Sequence, residues 1–421
     1  MSLARTTEIV EPQPMGGRLL LVTAVRLRRG AQGLEIDDQT AAGLERWAEH
    51  FAAVTYAGIL LKGEREENTT ANWVPVRRIP GAERMRFLAL PMAYRIGAFA
   101  RTYRATRRQL GREIAAADHL CFTLGYLAGD WGAVAALEAR AQDRRHAVWF
   151  DRVEHETIAR TLHAMPWKRR LKERASIALM KPYHRRLIAG SSLGLFQGMD
   201  TFDAYAAGCA NPACVYDVHT RPADFIGEAA IAAKIERLAS GAPVRILYAG
   251  RAAEMKGPID WLEALAEAHA QGLDFRARWL GDGPMLGAMR EAVERLGLGP
   301  HVELAGFVSD RETVLQAMRE ADIFLFCHKT PESPRCLVEA LVSACPLVGY
   351  ESRYASGLVE GSGGALPVPP NDPQALGRAL AGLASDRERL GTLVRQAAVS
   401  GRRFDEAKLY AERAGLIAAH A

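Results

Sequence analysis

The sequence has no apolar run of about eighteen residues or more, the length that a helix needs to cross a bilayer. A chain without a membrane-spanning helix is therefore expected. The N-terminus lacks a basic stretch followed by an apolar core, so no secretory leader is expected either. The six cysteines, Cys121, Cys209, Cys214, Cys327, Cys336 and Cys345, include no C-x-x-C pair. Cys209-x4-Cys214 makes a poor zinc half-site, and no His pattern stands beside it. Reduced, mostly buried thiols of a cytoplasmic protein fit this better than a disulfide framework or a metal site. No internal repeat recurs at a solenoid period. Nucleic acid is excluded as a partner, because no stacking platform or recognition motif accompanies the positive charge.

What is present is length, apolar content and an uneven charge. The 421 residues, 49% hydrophobic, suffice for two or three domains with sizeable cores. Residues 1–240 carry 34 Lys and Arg against 26 Asp and Glu, and residues 241–421 carry 20 against 23. The basic excess lies in two stretches. Residues 84–112 hold eight Arg and no acid, with Phe87, Leu88, Leu90, Met92, Tyr94 and Ile96 among them. Residues 167–186 hold eight basic residues and one acid, interleaved with Trp167, Leu171, Ile177, Leu179, Met180 and Tyr183. Such faces suit peripheral contact with an anionic membrane, and equally suit two solvated helices packed on a sheet.

Apolar strands alternate with helical patterns along the chain. Arg18–Ala24, Val54–Leu61, His119–Thr123, Ala147–Phe150 and Leu193–Phe196 read as buried strands, with a long loop at Val25–Thr40 and a helix at Ala41–Phe51. A transition around residues 209–242 separates this half from a second run beginning at Val244. That run reads VRILYAG, a helix from Pro258, FRARWLG, a helix from Pro284, VELAGF, a helix from Arg311, IFLF, another helix, and PLVGY. The helix Asp372–Ala384 follows, and a last one, Phe404–Ala418, presents Ala407, Tyr410, Ala411 and Leu416 as its apolar positions. The pattern predicts an α/β protein of two Rossmann-like domains facing a central cleft. The divisions are 1–220 for the first domain, 221–243 for the linker, 244–402 for the second domain and 403–421 for a C-terminal helix.

The chemistry concentrates after the strands of the second domain, where open parallel sheets place ligands. Gly250-Arg251 and Lys256-Gly257-Pro258 follow VRILYA: a sharp turn, a fork of donors and a point charge, all suited to phosphate oxygens. The loop is not a Walker motif, lacking Gly-Lys-Ser/Thr. Gly281-Asp282-Gly283 permits close backbone approach to a ligand or simply a tight turn. Gly306-Phe307-Val308 ends the next strand. After IFLF, Ser333 and Pro334 read as N-cap and first helical residue. Arg335 in the first turn opposes the helix dipole, which an anion bound at that helix end would explain. Glu332 and Glu339 flank the turn.

These pieces together resemble the donor domain of the retaining glycosyltransferases of family 4, which have the GT-B fold. The resemblance rests on Gly250-Arg251, Lys256-Gly257, Gly281-Asp282-Gly283-Pro284, Gly306-Phe307-Val308, Glu332, Glu339-Ala340-Leu341, Pro346-Leu347-Val348 and the tail from Gly364 to Pro373. It runs from Val244 onward; the first half is similar only in its order of elements. The resemblance implies that Arg251 and Lys256 hold the diphosphate of a nucleotide sugar, with Gly250 allowing the turn. Glu339 would accept from the ribose hydroxyls, Glu332 would meet the donor sugar near the reacting carbon, and Gly306, Phe307 and Val308 would line the nucleobase. Such enzymes are usually metal-independent, and the Asp-x-Asp pattern of the other major glycosyltransferase fold is absent. No metal and no cofactor are expected beyond the nucleotide sugar as co-substrate.

The chain departs from that family in two places. The family has seven residues between its glutamates, typically Gly-Phe-Gly after the first; here Ser333 to Val338 supply six, beginning Ser333-Pro334-Arg335. Pro334 has no N–H for a phosphate, and the Arg335 side chain is the expected substitute. The family's usual His at the end of a central strand is replaced by Asp151, with His155 four residues on. Asp151 would orient the acceptor hydroxyl or take its proton, or else pair with Arg152 or His155. Gly30 and Gly33 stand near the family's glycine loop after strand one. The leading expectation is a retaining glycosyltransferase of polysaccharide or cell-envelope glycan synthesis. It would be cytoplasmic or peripheral at the inner face of the cell membrane, and its acceptor a glycan or lipid-linked glycan. The alternatives are a catalytically weak GT-B scaffold in glycan assembly and a sugar-nucleotide epimerase.

Overall fold

A computed structural model describes residues 16–61, 63, 72–330 and 332–421. The first fifteen residues, on which the leader reading and the start of the first domain fall, lie outside the described residues. In the first half, β1 (Arg18–Gly30) and β2 (Gly33–Asp37) precede α1 (Asp38–His50), β3 (Ala53–Leu60), β4 (Trp73–Pro75), β5 (Met85–Pro91) and α2 (Ile96–Ala116). They are followed by β6 (His119–Leu124), α3 (Trp131–Ala141), β7 (Ala147–Phe150), α4 (Glu154–Thr161), α5 (Trp167–Ala189), β8 (Leu193–Gln197), α6 (Gly198–Tyr205) and β9 (Pro212–Val215). The second half begins with α7 (Glu228–Ala239), β10 (Val244–Ala249), α8 (Pro258–Ala270), β11 (Phe275–Leu280), α9 (Leu286–Arg295), β12 (Val302–Gly306) and α10 (Arg311–Glu320). It continues through β13 (Ile323–Phe326), α11 (Arg335–Val342), β14 (Leu347–Tyr350), α12 (Arg353–Leu358), β15 (Ala365–Val368), α13 (Pro373–Ser385), α14 (Arg387–Gly401) and α15 (Glu406–His420).

Central strands such as β8, β13 and β14 are buried along their whole length, as uninterrupted apolar runs must be when helices cover both faces. Parallel pairing orders the first sheet β5-β3-β1-β6-β7-β8-β9, with β2 and β4 added as an antiparallel ribbon. The second sheet is wholly parallel in the order β12-β11-β10-β13-β14-β15. In each sheet the winding reverses beside its first strand, between β1 and β6 and between β10 and β13, which opens a crevice at the strand ends. The two Rossmann-like domains face one another across a cleft.

Several elements differ from expectation. Val25–Thr40 is the β1–β2 hairpin and the start of α1, not a long loop. The register against β3 shifts between Val22 and Arg26, so a bulge at Thr23–Val25 breaks the strand where the cleft begins. Gly30 and Gly33 pair at the hairpin tip instead of forming a ligand loop. Within residues 84–112, Met85–Pro91 is a strand: Leu90 is buried and Phe87, Leu88 and Met92 pack on the cores, leaving Tyr94 and Ile96 exposed. Residues 167–186 lie within α5, with Met180 buried and Trp167, Leu171 and Leu179 exposed.

The last helix buries Glu406, Tyr410, Arg413, Ala414 and Ile417, while Ala407 and Ala411 face solvent. Two charged residues on its buried face disguised the stripe. It packs on the first domain, where Tyr410, Ala414 and Ile417 join the core with Trp47, Phe51 and Leu21. The domains also meet at α6 and α12. There Arg353 Nε is 2.7 Å from Asp203 Oδ2, and the Tyr354 backbone N–H donates to Asp200 Oδ2 at 2.9 Å.

Candidate functional site

The interdomain cleft encloses about 760 Å3. Its floor comes from the first domain: Thr23 at the β1 bulge, Thr123 on β6, Asp151 beyond β7, Gln197 ending β8 and Asp217 beyond β9, backed by Trp47, Tyr56, Trp149 and Tyr410. Its roof comes from the second: Met255 in the loop after β10, and Glu332, Ser333 and Arg335 after β13. A side pocket of about 250 Å3 continues past Asp151 to Tyr94, Tyr126 and Asp130.

The loops after β10 and β13, at the reversal of the second sheet, are bound to each other. Gly257 adopts φ +62°, and a Cβ there would stand 2.3 Å from the Cys327 carbonyl oxygen. The Lys329 backbone N–H donates to Met255 O at 2.9 Å. This close approach sets the Lys256 ammonium directly on the Glu332 carboxylate as an ion pair, and Thr330 Oγ1 donates to the other Glu332 oxygen at 3.0 Å. Arg251 is exposed at the start of the same loop. Behind it, Tyr248 OH and His328 Nε2 are 2.9 Å apart; burial, with the Lys256 charge, pushes the His328 pKa well below its ordinary value and keeps the ring neutral.

Gly281 and Gly283 pack closely against neighbouring backbone. A Cβ at Gly281 would lie 1.9 Å from Gly250 O, and one at Gly283 would lie 2.4 Å from Ala252 O. The turn Gly306-Phe307-Val308 ends edge strand β12, where Gly306 O accepts from the Gly281 N–H at 2.7 Å and Phe307 is exposed. Gly250 joins this backbone cluster, its N–H donating to Leu280 O at 2.8 Å. Glu339 is half-buried on α11, with one oxygen 3.8 Å from Arg311 Nε. Burial raises its pKa, against Arg311 and Arg335.

Ser333 does not cap the helix, and Arg335 reaches to the first domain. The helix N-cap is Pro334, without a side-chain cap, because Ser333 Oγ donates across the cleft to Gln197 O at 3.2 Å. Arg335 turns its fork to the first domain, onto Asp217 and Gln39. Arg413 of α15 approaches the same carboxylate at 3.9 Å, with its guanidinium 3.9 Å from the Tyr410 ring centroid. Burial would raise the Asp217 pKa, but the two guanidiniums hold it below the ordinary carboxylate value.

Asp151 opens onto the cleft from the same floor, two strands along from Asp217. Enclosure between the domains raises its pKa to about 6, the Asp217 charge adding to the rise and Trp149, Arg335 and Arg152 opposing it. Among the described residues neither alternative partner pairs with it directly: Arg152 binds Glu154, Nε to Oε2, at 2.5 Å. His155 is buried behind the site, its Nδ1 3.4 Å from Tyr205 OH. The sequence reading missed Asp217, Gln197 and Arg413. Gln197 ends β8 and Asp217 lies just beyond β9, so both stand at strand ends, where open parallel sheets place ligands; Arg413 comes from the far end of the chain.

Among the described residues no group of three or more His, Cys, Asp or Glu is arranged to hold a metal ion. The cleft sets cations and a carboxylate on one wall, and a carboxylate of raised pKa on the other.

Residues 243–386 match the family model described as Glycosyl transferases group 1. WcaL of Salmonella typhimurium, named for a glycosyltransferase of colanic acid biosynthesis, is 34% identical over 149 residues, 34% of this chain and 36% of that protein. The 2-deoxystreptamine N-acetyl-D-glucosaminyltransferase of Streptomyces fradiae is 34% identical over 158 residues, 36% of each chain. The chain thus matches little more than a third of the length of these curated relatives. Across almost the whole chain the structure is similar to Anabaena HepE in complex with UDP (TM-score 0.64, 14% identity, 96% of this chain and 100% of that one). It is also similar to WaaG, a glycosyltransferase involved in lipopolysaccharide biosynthesis (TM-score 0.60, 12% identity, 95% and 99%). The fold is the GT-B fold of glycosyltransferases.

Proposed function

We propose that the chain is a retaining, family 4-like glycosyltransferase that moves a sugar from a nucleotide diphosphate sugar to a glycan or lipid-linked glycan acceptor. The carrying observation is the Lys256–Glu332 ion pair at the reversal point of the second sheet, with Arg251 in the same loop and with Glu332 and Asp151 lining one cleft. The group 1 family model over residues 243–386 and the polysaccharide-synthesis names of relatives such as WcaL and AmsK support it.

In this reading the diphosphate lies against Arg251 and Lys256. Their charges stabilise the leaving group, the task a divalent cation performs in other phosphate chemistry. The bond from the anomeric carbon to the diphosphate oxygen breaks while the acceptor oxygen bonds to the same carbon from the leaving-group face, which preserves configuration. Asp151 takes the acceptor's proton; a pKa of about 6 leaves it mostly ionised at neutral pH yet basic enough for the task. Glu332, released from Lys256 as the diphosphate engages that ammonium, faces the sugar. Glu339 accepts from the ribose hydroxyls; HepE, similar in fold, is known in complex with UDP and with UDP-glucose.

The acceptor reading extends to the membrane. No helix among the described residues is long and apolar enough to cross one. Instead α5 exposes Trp167 (70%) beside Lys168, Arg169 and Lys172, and Ile96 (74%) stands at the start of α2. Such a surface suits peripheral contact with an anionic leaflet, near the side pocket where Tyr94 lines the acceptor end. Incubation with a panel of nucleotide sugars, scoring nucleotide release, tests the central claim. Slow hydrolysis of one sugar nucleotide, lost in Lys256→Ala, is the expected result. Absence of turnover and of binding across the panel would reject it.

A further inference from the structure

Gln197 ends β8, between Asp151 beyond β7 and Asp217 beyond β9, and has no place in the mechanism above. It is 4% exposed and lines the cleft, yet its side-chain Oε1 has no hydrogen-bond partner among the described residues. Buried polar groups in folded proteins are nearly always paired, and an orphan on a cleft wall points to a ligand.

The residue is held firmly. Its carbonyl accepts from Ser333 Oγ at 3.2 Å, tying it to the segment that carries Glu332. Gly198, next in the chain, adopts φ +72°, where a Cβ would meet the Tyr354 ring at 2.3 Å. Neighbouring strands stand about 4.8 Å apart, so the ends of β7 and β8 present Asp151 and Gln197 side by side. An ionised carboxylate only accepts, whereas an amide also donates, and the two together suit a hydroxyl-bearing ring, with Trp149 offering an apolar face.

We propose that Gln197 is a specificity-determining residue that hydrogen-bonds a hydroxyl of the sugar seated between Asp151 and Ser333. The proposal rests on the glycosyl-transfer reading. The hydroxyl belongs either to the transferred sugar or to the terminal sugar of the acceptor, two sources of one chemistry that the test separates.

The test compares wild type with Gln197→Met, which keeps the length of the side chain and removes its hydrogen bonds, on parent substrates and on single-deoxy analogues. Thermal melting shows that the variant is folded. Nucleotide release without acceptor reads the donor sugar; transfer with acceptor reads the acceptor sugar. Wild type should disfavour one deoxy analogue by about tenfold or more, and Gln197→Met should lose that discrimination while handling the parent about as poorly as wild type handles the analogue. Loss seen with donor analogues assigns the hydroxyl to the transferred sugar, and loss seen only with acceptor analogues assigns it to the acceptor. An unchanged discrimination pattern in a folded Gln197→Met overturns the proposal and leaves the transfer reading intact. If wild type neither binds nor turns over any nucleotide sugar, both fall together.

Discussion

Lys256 and Glu332 hold each other as an ion pair across the two loops that flank the reversal of the second sheet. In the proposed reaction these are the cation that meets the leaving group and the carboxylate that faces the sugar, in contact before any substrate arrives. A bound diphosphate must compete for Lys256, and in doing so it uncovers Glu332. Lys256→Ala should therefore weaken UDP or another matching nucleoside diphosphate by about 10- to 100-fold, the loss of a hydrogen bond to a charged group. Calorimetric titration measures this. Equal affinity in the variant would place the diphosphate elsewhere.

Asp151 predicts an acid limb. Its folded pKa, about 6, lies above the ordinary value near 4. The folded protein therefore binds more protons than the unfolded chain between these values. This group's contribution to stability is full below about pH 4 and is lost as pH rises through about 6. Activity runs the other way, since the base must be ionised: turnover should fall as pH drops through about 6. Asp217→Asn removes a neighbour that raises this pKa, so the limb should move to lower pH. A pH–rate profile decides; a limb that stays in place would remove Asp217 from Asp151's electrostatics.

Arg335 is a tie between domains. Arg335→Ala breaks a partly buried contact with Asp217 and Gln39, while Arg413 remains beside the carboxylate. A loss of about 1–3 kcal/mol is expected, between the exposed and buried ion-pair limits. Nucleotide affinity should stay near wild type. Denaturant melts and titration separate the two effects; unchanged stability with weakened nucleotide binding would restore the phosphate role expected from sequence.

Gly257→Ala tests the loop contact that positions Lys256. The substitution puts a side chain at φ +62° and drives a methyl into the Cys327 carbonyl. Destabilisation of about 2–4 kcal/mol is expected, with nucleotide affinity falling as in Lys256→Ala. A melting temperature equal to wild type would show that the loop can move aside.

The exposed face of α5 should govern membrane association. Cosedimentation with vesicles containing phosphatidylserine should exceed that with phosphatidylcholine alone and fall with salt. Trp167→Ser with Leu171→Ser should reduce it several-fold without changing nucleotide release. Equal binding by the double variant would mean that α5 is a solvated helix.

The second domain was legible in the sequence because each feature is local. Apolar strands such as IFLF, the turn residues Gly250 and Gly257, and Pro258 at a helix start all act within a few residues of themselves. Asp151 stood out only through the resemblance, at the end of a central strand where that family usually has a His. What escaped depends on partners distant in sequence. Arg335 read as a phosphate ligand because its helix-end position invites an anion, and nothing nearby discloses that Asp217 supplies it. The β1–β2 hairpin hid because its strand runs through a bulge at the cleft edge, and β5 hid because it lies in an arginine-rich stretch that suggested a surface. The buried face of α15 carries Glu406 and Arg413, whose partners Arg46, His219 and Asp217 stand in distant segments.

That last helix has a consequence for the order in which the molecule can be assembled. Tyr410 packs edge-on against Trp47 at 5.1 Å, and its hydroxyl fills the space over Gly43, where a Cβ would meet it at 2.5 Å. Both partners lie in α1, near the start of the chain. A ribosome emits α1 and its sheet long before α15, so the first domain emerges with an apolar face open, while the second domain, α14 included, can close unaided. The acceptor-side floor is therefore the last part of the cleft to form during synthesis, and the stretch most exposed to misassembly until then.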